Sequence, residues 1–168
     1  LVTASPAFSW RFLTPRYWPT WLGLGVMWLL AQLPYPFQAG VGRLLGRLMG
    51  RLGRSRRRVA AVNLALCLPA LSAAERERLL WQHLESVGMG VVETAISWWT
   101  PARRLPPAQV EGLEHLHAAL QKGRGAILLI GHFTSMELVA RFLAPHAPLH
   151  VTYRQSKNAL YEYMLHRA

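Results

Sequence analysis

Residues 125–141 read GAILLIGHFTSMELVAR. An apolar run, Ala126 to Ile130, leads into Gly131 and His132, and Glu137 follows five residues after the histidine. A short apolar run bounded by glycine predicts a fully buried strand. From Thr134 onward, Met136, Leu138, Val139, Phe142 and Leu143 recur at helical spacing with one apolar face. His132 is therefore expected just past the carboxyl end of a buried strand, with Glu137 in the first turn of the next helix. In open α/β sheets that crevice is where ligands bind. A histidine there can take a proton from a substrate hydroxyl, and a carboxylate nearby can orient the ring and stabilise its charged form. A structural reading stands beside the catalytic one. A lone histidine after a strand is commonly structural, and Thr134-x-x-Glu137 forms a capping box by sequence.

The elements around this block extend the pattern. Val110 to Gly112 reads as a short strand, Glu114 to Leu120 as a short helix, and Leu149, Val151 and Tyr153 alternate as a further strand. Asn158 to Arg167 reads as another helix. Strands separated by helices predict an α/β fold with the start of a parallel βαβ sheet and a right-handed crossover. Arg154 and Lys157 follow the strand ending at Tyr153, whose carboxyl end should open on the crevice of His132. Their charge suits a phosphate, with a solvated loop as the alternative.

Upstream, Tyr17 to Leu33 carries no charge, is bracketed by Pro19 and Pro34, and holds Trp18, Trp21 and Trp28. About 17 residues span roughly 25 Å as a helix, just under the roughly 30 Å of a bilayer core. Aromatics near its start suit a membrane interface, and Gln32, Leu33 and Pro34 do not make a signal-peptide cleavage site. The expectation is an uncleaved membrane-anchoring helix, with a buried core helix as the alternative. Arg43, Arg47, Arg51 and Arg54 then recur on one helical stripe, with Val41, Leu44, Leu45, Leu48, Met49 and Leu52 on the other side, and Arg56, Arg57 and Arg58 extend the charge. A basic amphipathic helix beside an apolar segment reads as lying on anionic membrane phospholipid, on the cytoplasmic face. Ser72-x-x-Glu75 opens a long helix with Leu79, Leu80, His83, Leu84, Val87, Val91 and Ile96 on its inner face, ended by Trp98, Trp99 and Pro101. Within it, His83 is expected to be packed, and Gly88 and Gly90 either weaken the helix or admit a close neighbour.

Composition narrows the function. In 168 residues, Lys and Arg outnumber Asp and Glu by 19 to 8, and 52% of residues are hydrophobic, including seven Trp. The balance of +11 suggests a polyanionic partner. The arginines cluster beside an apolar segment rather than on a nucleic-acid reading motif, so nucleic acid is not expected. The single Cys67 excludes an internal disulfide framework and is expected as a small core residue. His115-x-His117 and His146-x3-His150 lack the companions of a zinc site, no Gly-x-Ser-x-Gly elbow surrounds Ser135, and Lys122-Gly-Arg-Gly125 precedes its strand, the reverse of a P-loop. No metal or cofactor is expected.

GHFTSMEL (131–138) resembles the His-x4-Asp/Glu block of the lysophospholipid-type acyltransferase superfamily, and more narrowly the late acyltransferases of lipid A biosynthesis. TPRYWPTWLGLGVMWLLAQLPYP (14–36), NLALCLPALSAAERERLL (63–80), ESVGMGVVETAISWW (85–99) and YRQSKNALYEYM (153–164) are similar to further blocks of that family, in the same order. Ala159 departs from the proline often found there. The resemblance implies an N-terminal half of the enzyme, divided into a membrane anchor with basic helix (1–58) and the first part of a catalytic domain (59–168), inactive alone. It implies catalysis by His132 and Glu137, and it supports substrate binding by Arg154 and Asn158, beside Lys157 whose charge suits a phosphate. The implied donor is acyl-acyl carrier protein, and the acceptor is the Kdo-linked, tetra-acylated lipid A precursor at the inner membrane. A glycerophospholipid acyltransferase and a non-enzymatic basic membrane-surface protein are the alternatives.

Overall fold

A computed structural model describes residues 7–105 and 107–167 of the chain. Residues 1–6, Pro106 and Ala168 lie outside the described residues. Seven α-helices carry the described fold: α1 (Trp18–Gln32), α2 (Tyr35–Leu52), α3 (Arg54–Cys67), α4 (Ala73–Trp99), α5 (Leu113–Leu120), α6 (Met136–Leu143) and α7 (Ala159–Leu165).

The helices begin and end where local chemistry dictates. Pro19 sits in the first turn of α1, where a missing N–H costs nothing. Pro34 stops the helix, and the Gln38 amide then donates to the carbonyls of Leu30 (3.1 Å) and Leu33 (2.8 Å). That satisfies groups a helix end leaves open. The Ser72–Glu75 capping box forms as its sequence predicts and opens α4, where the hydroxyl's bond holds the Glu75 carboxyl below the usual carboxylate range.

Helix α4 is the central post, touched by α1, α2, α3 and α6. Its contact with α2 is built from glycine. Gly42, Gly46 and Gly50 face α4, where a Cβ on Gly46 would lie 2.2 Å from the Leu84 carbonyl oxygen. A Cβ on Gly88 would lie 2.1 Å from the Gly42 carbonyl oxygen. The two backbones therefore run in direct contact, which only glycine permits. Glycine therefore points inward on α2, while Leu44, Leu48, Met49 and Leu52 are exposed. On α4 itself Val92, Ala95 and Ile96 are fully buried, whereas His83 is exposed. The expectation of a packed His83 is corrected, since the tight glycine seam claims the inner face instead. Cys67 is likewise exposed rather than in the core, because α3 buries no residue.

A second core joins the chain's two ends. Phe12, Leu24, Trp98 and Leu160 pack together with Tyr17, Trp21, Trp99, Tyr161 and Tyr163 around them. The Trp21 indole N–H donates to the Phe12 carbonyl (2.8 Å), giving this aromatic a polar partner as well as burial.

Two expectations are overturned. The described residues contain no strand, so the α/β reading with a parallel βαβ sheet does not hold: the fold is helical. Residues 110–112, 126–130 and 149–153 are irregular. The apolar run is open to solvent, with Ile127 and Leu129 98% and 97% exposed. A strand's backbone groups are satisfied only by a neighbouring strand, and no described segment pairs with this one. Second, no described helix is long and apolar enough to cross a membrane. The 15 residues of α1 reach about 22 Å at about 1.5 Å each, and the helix lies against α4 through buried Leu24 and Ala31. In place of the expected spanning anchor is a short helix that packs one edge on α4 and leaves Trp18, Leu22, Val26, Trp28 and Leu29 exposed.

Candidate active site

Residues 131–135 form the turn that presents His132. The Phe133 N–H donates to the Gly131 carbonyl (2.9 Å), and the Phe133 ring folds over Gly131, where a Cβ would meet it at 2.6 Å. The fold leaves the His132 side chain exposed. Glu137 lies in the first turn of α6, as its spacing predicts. The Thr134–Glu137 capping box does not form: Ser135 is the residue preceding α6, and no side chain caps it. The Glu137 carboxylate is thereby left unengaged by the helix start. His132 and Glu137 make no hydrogen bond or ion pair with each other.

The block is held by α4 at two points. The Ser97 hydroxyl donates to the Glu137 carbonyl (3.0 Å). Gly90 lets Thr134 approach so closely that a Cβ would sit 2.9 Å from the Thr134 carbonyl oxygen. Gly90 therefore admits a close neighbour, one of its two sequence readings. Ser97 carried no sequence signal, because a serine on an apolar helix face looks like a filler until its partner is known.

The segment 153–158 is pinned to α7. The Tyr153 hydroxyl donates to Glu162 Oε1 and lies 2.8 Å from His166 Nε2, while the Ser156 N–H donates to Glu162 Oε2 (2.9 Å). These bonds, Tyr153 first and Ser156 next, hold the Glu162 carboxyl below its usual range. Asn158 caps α7, its Oδ1 accepting from Leu160 and Tyr161 N–H (both 3.1 Å), and its Nδ2 donates to Thr20 of α1 (2.7 Å). Arg154 and Lys157 project from this pinned segment into solvent, with no ion pair among the described residues. Helix α7 is in electrostatic reach of the His132 block. The Tyr161 hydroxyl is pushed up by burial, and further by the Glu137 and Glu162 carboxylates.

The arginine stripe runs beside α4. Arg47 pairs with Glu85 (2.7 Å), and Arg51 and Arg57 lie over the Trp81 ring at 5.8 and 6.0 Å. Arg54, Arg57 and Arg58 line a groove between α3 and α4, and Arg43 lines another between α2 and α4.

Residues 5–168 match the model of a family described as bacterial lipid A biosynthesis acyltransferase. The chain belongs to this family. It is 40% identical over 164 residues to the lipid A biosynthesis lauroyltransferase of Escherichia coli K12, covering 97% of this chain and 54% of the relative. It is 41% identical over 158 residues to the palmitoleoyltransferase of the same organism, covering 94% and 52%. It is 37% identical over 163 residues to a lipid A biosynthesis acyltransferase of Haemophilus influenzae, covering 95% and 51%. The chain thus spans about half the length of the curated relatives it matches. No solved structure matches it.

Proposed function

We propose that the protein transfers a fatty acyl chain from acyl-acyl carrier protein to a hydroxyl of the Kdo-linked, tetra-acylated lipid A precursor. The observation that carries this reading is membership of the lipid A acyltransferase family across residues 5–168, with His132 and Glu137 inside the match. His132 takes the proton of the acceptor hydroxyl, and Glu137 stabilises the imidazolium that forms. The oxygen attacks the thioester carbonyl, the C–S bond breaks as the ester forms, and the imidazolium returns its proton to the departing thiolate. Arg154 and Lys157 hold acceptor phosphate from the segment that Tyr153 and Glu162 fix in place, and Asn158 sets the start of α7 beside them. Residues 59–168 contribute to the catalytic domain, and residues 1–58 seat it on the membrane.

That seating is interfacial. The exposed leucines of α2 and the exposed Trp18, Leu22 and Leu29 of α1 enter the headgroup boundary of the inner membrane. Arg43, Arg47, Arg51 and Arg54 flank them, where anionic phospholipid is met. The same positive surface draws an acidic carrier protein.

The test is a paired-acceptor assay. The full-length protein is given acyl-acyl carrier protein with either the tetra-acylated lipid A precursor or a lysophospholipid. Acylation of the first alone is expected. Acylation of the lysophospholipid alone would assign a glycerophospholipid acyltransferase, and acylation of neither would leave a membrane-surface binding protein.

A further inference from the structure

Between α2 and α4 runs an open groove of about 400 Å³, walled by Tyr35, Arg43, Glu85, Met89, Glu93 and Thr134. Thr134, two residues from His132 in the 131–138 block, is part of its lining. Arg43 stands in the wall formed by α2 with no ion pair among the described residues, because the nearby Glu85 is taken by Arg47. In the opposite wall Glu93 Oε2 is buried with no hydrogen-bond partner among the described residues. Burial pushes the Glu93 carboxyl above its ordinary range, so the site disfavours an uncompensated charge there. A buried polar atom without a partner is costly, and such groups in native proteins call for an explanation. A ligand oxygen in the groove supplies one.

We propose that this groove binds the phosphorylated sugar headgroup of the acceptor, with Arg43 on a phosphate and Glu93 hydrogen-bonded to a headgroup oxygen. The inference rests on the acyl-transfer reading and adds a place for the substrate. An acyl chain gains nothing from a groove walled by charged and hydroxyl groups, and a neutral pantetheine arm gains nothing from a free guanidinium. A phosphorylated sugar presents both the anion that Arg43 lacks and the hydroxyl oxygens that suit Glu93. Its α2 wall, Tyr35, Ala39 and Arg43, belongs to the helix whose exposed leucines are assigned to the membrane boundary.

Two measurements on the full-length protein decide the matter. The first is calorimetric titration with a water-soluble glucosamine disaccharide bisphosphate, with inorganic phosphate as a second titrant. The second is acyl-transfer kinetics with donor and acceptor varied separately. Wild-type protein is expected to bind the disaccharide more tightly than inorganic phosphate. Arg43→Gln and Glu93→Ala are expected to weaken that binding roughly 10-fold or more, the range of a lost charge-assisted or buried hydrogen bond. They are expected to raise KM for the acceptor in proportion and leave KM for the donor in place. Glu93→Gln, which keeps a hydrogen-bonding side chain of the same length, recovers most of the loss. Arg43 is exposed, so Arg43→Gln reports on the site even where Glu93→Ala unfolds. Unchanged binding in folded variants, wild-type affinity no better than for inorganic phosphate, or an equal rise in donor KM would each overturn the site. Disaccharide binding without any transfer would keep the site and remove the acyl-transfer reading. Transfer with variants indistinguishable from wild type would do the reverse.

Discussion

A cap and its partner decide how firmly the 153–158 segment is held. Asn158 closes the start of α7 and reaches Thr20 of α1. Asn158→Ala is therefore expected to lower stability by about 1–2 kcal/mol, from the lost cap and the tertiary bond together, read as a fall in the urea midpoint. The Tyr153–Glu162 bond adds a pH dependence. Its carboxyl is held low in the folded state, so its contribution is complete above the unfolded value of about 4.3 and drains away as pH falls through the lower folded one. Melting of the wild type should steepen below about pH 4.3, and Glu162→Gln should flatten that limb; identical acid limbs would contradict the assignment. At this scale the sequence was only partly legible. Both capping boxes satisfy the same pattern, yet Ser72–Glu75 forms and Thr134–Glu137 does not. In the second, Ser135 takes the position before α6 and shifts Thr134 out of reach of the helix's free N–H groups.

Helices were readable because their satisfaction is internal. Periodicity with Pro34, Ser72 and Pro101 as punctuation places α1 and α4 close to their observed bounds, whereas the arginine stripe read as one helix is broken at Gly53, with Arg54 opening α3. The strands were not readable in the same way: Ala126 to Ile130 has the composition of a buried strand, but a strand's hydrogen bonds depend on a partner elsewhere. The glycine seam was missed for a different reason. Gly42, Gly46 and Gly50 recur every four residues, but glycine counts as a helix weakener until a second backbone is placed against it. The seam makes a sharp prediction within one helix. Gly46→Ala forces α2 away from the Leu84 carbonyl and is expected to cost about 1–3 kcal/mol. Gly40→Ala, where a Cβ meets nothing within 4 Å, should instead gain about 0.5–1 kcal/mol from helix propensity. Thermal melts of the two variants should move in opposite directions. A shift of the same sign in both would show that the helices are not in backbone contact.

At the scale of the molecule, glycine faces inward on α2, so its leucines face outward, and α1 adds exposed tryptophan and leucine. Replacing Leu44, Leu48 and Leu52 by Gln should leave the melt near wild type, since these side chains are exposed. It should lower flotation with anionic vesicles by about 10-fold or more, because each leucine forfeits on the order of 1.5 kcal/mol or more of burial. Flotation unchanged by the substitutions would place the membrane contact elsewhere. The two anchors from Gly90 and Ser97 also explain how a helical frame presents an exposed histidine: α4 fixes the backbone at Thr134 and Glu137, and His132 stays open to solvent. In the proposed reaction the His132 ring takes the acceptor's proton. The direct measurement is the mass of the tetra-acylated acceptor after incubation with acyl-acyl carrier protein and the full-length protein, wild type beside His132→Ala. One added acyl chain is expected with the wild type, and a rate lower by about 10²–10⁴ with a folded His132→Ala. Equal addition by both would remove His132 from that role.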